Sequence, residues 1–208
     1  HGIRIGRDRF FGVLRNHGLL IRKRKRKVFT TDSKHWLRKY PNLIKEFILI
    51  APNQLWVSDI TYIVIGTAYG YLSLITDAYS RKIVGFCLSK DLSTRGCMGA
   101  LKMALKNNAV IKYLIHHSDR GVQYCSYFYV SLLENKEVKI SMTENGDPLE
   151  NAIAERVNGI LKEELLEAAY PHFELAQEAV AIAISTYNHL RPHGSISNLT
   201  PFEAHSLE

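Results

Sequence analysis

Hydrophobic and β-branched residues become dense from residue 55 onward, where a polar N-terminal segment gives way to the pattern of a compact domain. Residues 55–65 are rich in Val, Ile, Thr and aromatic side chains, which is typical of a β-strand. Residues 69–78 and 82–88 have the same character and follow after turns of three residues each. Strands joined so tightly pair antiparallel, and the pattern therefore predicts a three-stranded meander.

The rest of the domain alternates between strand-like and helical patterns. Short apolar runs at 112–116 and 138–142 predict two further strands. The helical patterns cover residues 94–108, 124–134, 149–168 and 173–189. The order β-β-β-α-β-α-β-α predicts an α/β fold in which helices flank a mixed five-stranded sheet with an antiparallel half.

The N-terminal segment is organised differently. Apolar positions within residues 7–20 have helical spacing and predict a short helix. Residues 28–53, interrupted by two prolines, show no period and are predicted to be a polar connector. Between them lies a run of like charges, which repel one another, formed by Arg22, Lys23, Arg24, Lys25, Arg26 and Lys27.

Charge is spread unevenly along the chain. Residues 1–40 contain 13 Lys and Arg and two Asp, a balance of +11, whereas the other 168 residues carry −4 and the total is +7. A basic arm on a mildly acidic domain is typical of contact with a polyanion, of which nucleic acid is the commonest. The alternative is a solubilising tail without a partner.

Composition and cysteine usage exclude several classes of protein. With 46% hydrophobic and 23% charged residues, the chain resembles a globular protein rather than a disordered one. No apolar run approaches the ~20 residues of a membrane-spanning helix. Cys87, Cys97 and Cys125 suit neither a disulfide framework nor a zinc site, because they are odd in number and widely spaced. We therefore expect a cytoplasmic protein with reduced cysteines and no membrane contact.

Two aspartates lie on or after the predicted strands. Asp59 is in the middle of the first strand, where an ionised carboxylate is costly unless a cation or donors compensate it. The alternative is a solvent-facing position on an edge strand. Asp119 follows the strand at 112–116, and ligands of α/β sheets gather at such carboxyl ends. The alternative for Asp119 is a turn residue before Gly121.

Glu155 lies on a helix with two distinct faces. At 100° per residue, Ile153, Val157 and Ile160 form an apolar stripe. The opposite face presents a polar row within an arc of about 60°, formed by Asn151, Glu155, Asn158 and Lys162. Most such rows are solvated surface.

Together the three carboxylates predict a metal site. Two aspartates on neighbouring strands and a glutamate on a helix can meet in one pocket, where they cannot all remain ionised without a cation. Oxygen ligands without thiolates select Mg²⁺ or Mn²⁺. Two such ions clamp the attacking and leaving oxygens of a phosphoryl transfer.

The motifs around these carboxylates resemble those of a known family. They are Asp-Ile-Thr-Tyr at 59–62, His-Ser-Asp-Arg-Gly at 117–121 and Asn-Ala-Ile-Ala-Glu at 151–155, with 35 residues between Asp119 and Glu155. Tyr124 and the segment Tyr-Asn-His-Leu-Arg-Pro-His at 187–193 are further matches to the same family. The pattern is similar to the D-D-35-E core of the retroviral-integrase superfamily, and within it to OrfB-type transposases of bacterial insertion sequences, the IS-three family. The resemblance runs from about residue 53 to 204.

The resemblance implies a ribonuclease H-like fold and a DNA transposase. In it Asp59, Asp119 and Glu155 would be the catalytic residues and would hold Mg²⁺ or Mn²⁺, as two ions. Cleavage at the transposon end would free a 3′-hydroxyl that attacks another phosphodiester. The implied partners are double-stranded DNA, further copies of the chain on that DNA, and an OrfA-type upstream partner or fusion, with the protein on the nucleoid when it acts.

Several residues beside the carboxylates are candidates for DNA contact. Asn151 and Lys162 share the face of Glu155 and could touch phosphates. Arg191 and His193 could do so from the C-terminal tail, although a packing role is equally open. Arg120 could contact a phosphate or form an ion pair. The basic run at 22–27 could track DNA.

The predicted organisation has four parts. Residues 1–21 would be a remnant of a helical DNA-binding region, 22–53 a basic linker, 54–170 the integrase-like catalytic core, and 171–208 a C-terminal helix and tail that complete it. The alternatives are a non-catalytic DNA-binding transposon remnant and a ribonuclease H-like nuclease.

Overall fold

The computed structural model describes residues 5–20, 35–108, 113–144 and 151–207. Its elements are α1 Arg7–Asn16, β1 Leu55–Ile65, β2 Ala68–Asp77, β3 Ile83–Ser89, α2 Thr94–Asn107, β4 Ile115–Ser118, α3 Tyr127–Glu134, β5 Lys139–Met142, α4 Ala152–Ile160, α5 Phe173–His189 and α6 Pro201–Ser206. A π-helical turn, Leu161–Leu165, continues α4, and a 3₁₀ turn, Gly194–Ile196, precedes α6.

The five strands form one mixed sheet in the order β3-β2-β1-β4-β5. The meander β1-β2-β3 is antiparallel, whereas β4 and β5 run parallel to β1. The predicted α/β fold with an antiparallel half is therefore confirmed. Because β1 lies in the centre of the sheet, an edge position for Asp59 is excluded.

Helices cover both faces of the sheet. One core joins β-strand residues to α2 and α3, with Trp56, Leu101 and Leu133 fully buried in it. The other core lies under α4 and α5 and contains Leu72 and Tyr187. Strands buried on both faces explain the near-continuous apolar runs of the sequence.

The first helix stands apart from these cores. α1 follows the predicted helical spacing, but none of its residues is buried. The basic run at 22–27 lies outside the described residues.

The connector is more than a polar segment. Leu37 and Tyr40 pack against the first core, and Ile44, Phe47 and Leu49 against a small cluster below β1. Backbone bonds reinforce this contact, since Met142 N donates to Pro41 O over 3.3 Å and Leu43 N to Ser141 Oγ over 2.9 Å. Apolar residues without a period were therefore sufficient to dock this segment beside β5. The division of the chain at residues 21, 53 and 170 stays a prediction.

Several element bounds differ from the predicted ones. β4 begins at Ile115, and the helix predicted at 149–168 ends at Ile160 and is followed by the π-helical turn, after which Leu166 is extended. Residues 112 and 149–150 of these predictions lie outside the described residues. The short α6 was not predicted. It begins with a capping box in which Thr200 and Glu203 bond each other's backbone N–H groups.

In the part of the chain that the structure describes, no helix is both long and apolar enough to cross a bilayer.

Candidate active site

Parallel pairing of β1 and β4 brings the two aspartates to the same level of the sheet. Val57 is paired with His117, and Asp59 and Asp119 each lie two residues further along. Because side chains alternate between the faces of a strand, two residues at equal offsets from a pair occupy the same face. Asp119 comes directly after the carboxyl end of β4, where its Oδ1 accepts from Gly121 N over 2.9 Å.

α4 packs against β1 on this face and contributes Glu155 from its first turn. Asn158, one turn further along, donates from Nδ2 to Asp59 Oδ2 over 2.6 Å. Asn151 Nδ2 donates to Ser58 O over 3.1 Å. Two amides thus fix the helix against β1 on either side of Glu155. The polar row predicted on this helix is consequently a packing face and not a freely solvated one.

The electrostatics of the site are those of a carboxylate cluster. Burial, together with the charges of Asp119 and Glu155, raises the pKa of Asp59 to about 7. The backbone N–H of Ile60 and the amide of Asn158 act in the opposite direction without cancelling this. A half-buried carboxyl with two carboxylate neighbours favours either a proton or a cation.

The donor set fits a hard divalent cation. Carboxylate oxygens are the ligands that Mg²⁺ and Mn²⁺ prefer. Over the described ranges, however, no three His, Cys, Asp or Glu side chains lie close enough together to hold a metal ion. The metal site with two ions therefore stays a prediction.

The predicted DNA contacts next to the carboxylates are partly engaged inside the protein. Asn151 is buried against β1, as described above. Lys162 Nζ lies 3.3 Å from Thr61 Oγ1 and 3.8 Å from the ring centre of Tyr62, so it is positioned along the same strand. Arg120 is partly buried beside Asp119, and its carbonyl accepts from His35 Nε2 over 2.8 Å.

Arg191 and His193 lie together at the end of α5, on the other side of α4. Arg191 forms a bidentate pair with Glu164, with Nε–Oε2 and Nη2–Oε1 distances of 2.7 and 2.8 Å. His193 is buried against the ring of Tyr187. The DNA contacts of these residues stay predictions.

Two polar groups near the site have structural roles. Asp77, another strand carboxylate, is fully buried and caps the following turn, accepting from Ser80 N over 2.8 Å and from Asn53 N over 2.6 Å. It lies 3.7 Å from His205 of α6. His117 is buried, and its Nδ1 lies 2.8 Å from Ser141 Oγ, which joins β4 to β5.

Sequence reasoning missed Asn158 as a member of the site. Its position on the face of Glu155 was the available signal. The sequence did not show that this face meets β1 rather than solvent.

The family model described as integrase core domain matches residues 51–148, and a second model of the same description matches residues 136–201. Together they cover the sheet, the three carboxylates and α5. The fold and the site thus define the class of protein: an integrase core domain.

The relatives place the chain within that class. It is 35% identical to the insertion element IS600 31 kDa protein of Shigella sonnei, over 97% of this chain and 75% of that protein. It is 35% identical to the transposase for insertion sequence element IS904 of Lactococcus lactis, over 81% of this chain and 70% of that protein. It is 30% identical to transposase InsF for IS3A of Escherichia coli, over 90% of this chain and 66% of that protein. The chain belongs to the IS3 family of insertion-sequence transposases.

Coverage and fold add two facts. The chain spans 66% to 75% of the length of the three relatives named above. The catalytic core domain of HTLV-2 integrase in complex with magnesium has a TM-score of 0.58 at 19% identity, over 75% of this chain and 98% of that one. A simian T-cell lymphotropic virus intasome chain has a TM-score of 0.64 at 19% identity, over 86% of this chain and 62% of that one. The predicted ribonuclease H-like, integrase-type fold is confirmed.

Proposed function

We propose that this chain is the catalytic domain of a DNA transposase, which cuts at transposon ends and joins them to target DNA. The observation that carries the proposal is the shared level of Asp59 and Asp119 on adjacent parallel strands, beside the helix that bears Glu155. Family membership supports the same reaction class, because it places an integrase core among insertion-sequence transposases.

Asp59, Asp119 and Glu155 would hold Mg²⁺ or Mn²⁺, two ions in all, and a magnesium complex of a structural relative agrees with this choice. When bound, such ions supply the positive charge that activates a water or 3′-hydroxyl and stabilises the leaving oxygen of a phosphodiester. The residues of the chain provide the positioning. Asn158 fixes one oxygen of Asp59, and the N-terminal turn of α4 places the negative charge of Glu155 favourably toward the helix dipole.

Partners follow from this function. The substrate would be double-stranded DNA, and joining two ends requires at least two copies of the chain on that DNA. An OrfA-type upstream partner or fusion would supply end recognition, and the protein would act on the nucleoid in the cytoplasm. The printed description of one structural relative, an intasome, supports assembly on DNA.

The experiment compares single carboxylate variants in cleavage and strand transfer. Asp59→Asn, Asp119→Asn and Glu155→Gln should each reduce the rate at least about 10³-fold with Mn²⁺ and a pre-cut end duplex, because each removes a ligand charge. Asp91→Asn is the matched control, since Asp91 is an exposed carboxylate in the loop before α2. Unchanged activity in any of the three site variants would contradict the assignment. DNA binding without ion-dependent cleavage by the wild type would support the non-catalytic alternative.

A further inference from the structure

A cavity of about 440 Å³ lies on the side of α4 away from the carboxylates. Arg156 follows Glu155 on this helix and therefore points about 100° away from it. The other walls are the β2–β3 turn, the C-terminal end of α5 and the segment that follows it. The cavity is distinct from the site of Asp59 and its neighbours, and nothing in the proposed reaction uses it.

The charged lining of this cavity is entirely cationic. It contains the guanidinium groups of Arg81, Arg156 and Arg191 and no carboxylate. Of these, Arg191 is neutralised by its bidentate pair with Glu164. Arg81 donates to the carbonyl of Ala78. Arg156 is exposed and forms no ion pair with any residue in the described ranges.

Asp77 is the other acidic neighbour, and its charge acts on Arg81. It is fully buried, and its oxygens accept from Ser80 and Asn53. Within the described ranges, three guanidinium groups thus face two carboxylates, Glu164 and Asp77, which leaves an excess of positive charge beside the cavity.

His193 adds a hydrogen-bonding group that lacks a partner. The residue is 7% exposed, lines the cavity, and its Nε2 has no hydrogen-bond partner within the described chain. Burial lowers the pKa of His193 to about 4, and the nearby Arg191 and Arg81 contribute to the shift. A neutral imidazole can donate one N–H to an anionic oxygen.

The walls of the cavity are fixed by hydrogen bonds and ring packing. Tyr187 Oη donates to Arg81 O over 3.1 Å, which ties α5 to the β2–β3 turn. The rings of Tyr187 and His193 pack edge to face with centres 4.8 Å apart. The β2–β3 turn and the segment after α5 are thus both held against Tyr187 of α5.

We propose that this cavity binds a backbone phosphate of the DNA strand whose reacting phosphodiester lies at Asp59, Asp119 and Glu155. The proposal rests on the proposed function, because it assigns the cavity to the same DNA. Guanidinium groups match the geometry of phosphate and bind it through paired N–H donors. A phosphate contact of this kind positions the duplex without reading its sequence.

The test measures duplex binding by fluorescence anisotropy in EDTA, so that catalysis does not enter the readout. Arg156→Gln should weaken binding about 5- to 10-fold and reduce the slope of log K against log salt concentration by about one. Arg156→Lys should retain most of the slope because it keeps the charge. Arg95→Gln is the matched control, since Arg95 is an exposed arginine at the start of α2, on the opposite face of the sheet.

Two outcomes would overturn the proposal. One is an equal effect of Arg156→Gln and Arg95→Gln on affinity and slope. The other is an equal loss of affinity and slope in Arg156→Lys and Arg156→Gln, which would show that the effect does not depend on the charge of residue 156. Failure of the proposed function is recognised separately, as absence of cleavage by the wild type with Mn²⁺, and would leave the EDTA binding result standing.

Discussion

Asp59 is held in the folded state at an electrostatic cost. Burial and the charges of Asp119 and Glu155 raise its pKa to about 7, whereas an aspartate in an unfolded chain titrates near 3.9. Replacing it by Asn removes the charge and still offers an oxygen to the amide of Asn158. We therefore expect Asp59→Asn to stabilise the metal-free protein by about 2–3 kcal/mol at pH 8, although the same change would lower activity under the proposed function. Urea unfolding in EDTA measures this.

The sign of this effect depends on pH. Above pH 7 Asp59 is ionised in both states, and the full cost is present. As the pH falls from 7 toward 4, the folded state takes up a proton before the unfolded state does, so wild-type stability from this group rises. The advantage of Asp59→Asn should thus fall to about 1 kcal/mol at pH 4.5. Asp91→Asn provides the control, and an equal gain at pH 8 and 4.5 would contradict the electrostatic explanation.

At the scale of elements, the strands and the two longest helices, α2 and α5, were predictable because local patterns determine them. α5 has the predicted bounds 173–189, and α2 ends within one residue of its predicted end. The pairing of β1 with β4 joins residues 60 positions apart, and composition alone does not fix such a register. The grouping of Asp59 with Asp119 was accordingly implied by the family resemblance, and the structure then placed the two at one level.

The contact between α4 and β1 gives a prediction at the same scale. The helix holds Asp59 through the hydrogen bond that Asn158 donates to its carboxylate. Residues that orient a metal ligand typically contribute 10–100-fold to metal affinity. We expect Asn158→Ala to raise the Mn²⁺ concentration needed for half-maximal cleavage about 10-fold or more.

A second asparagine variant is the control for Asn158→Ala. Asn107→Ala changes an exposed asparagine at the end of α2. The Mn²⁺ concentration needed for half-maximal cleavage should be unchanged in Asn107→Ala. If Asn158→Ala lost activity that high Mn²⁺ did not restore, while remaining folded by circular dichroism, its role would be other than ligand orientation.

At the scale of the whole molecule, charge and core are separated along the chain. The balance of +11 lies within residues 1–40, whereas the two large cores are built chiefly from residues 55–187. No residue of α1 is buried. The excess of basic residues and the two cores thus lie in different parts of the sequence, and the cavity beside α4 would be a second point of DNA contact under our proposal.

This separation predicts that DNA affinity and stability respond independently to the basic run. Changing Arg22, Lys23, Arg24, Lys25, Arg26 and Lys27 to Gln should reduce the salt-dependence slope of duplex binding by up to about five, since each phosphate contact contributes about 0.9. The midpoint of urea unfolding should stay unchanged. The control neutralises four exposed lysines of the α2–α3 side, namely Lys102, Lys106, Lys136 and Lys139. An equal loss of slope per charge in both variants would mean that net charge alone, and not an arm that follows the DNA, governs binding.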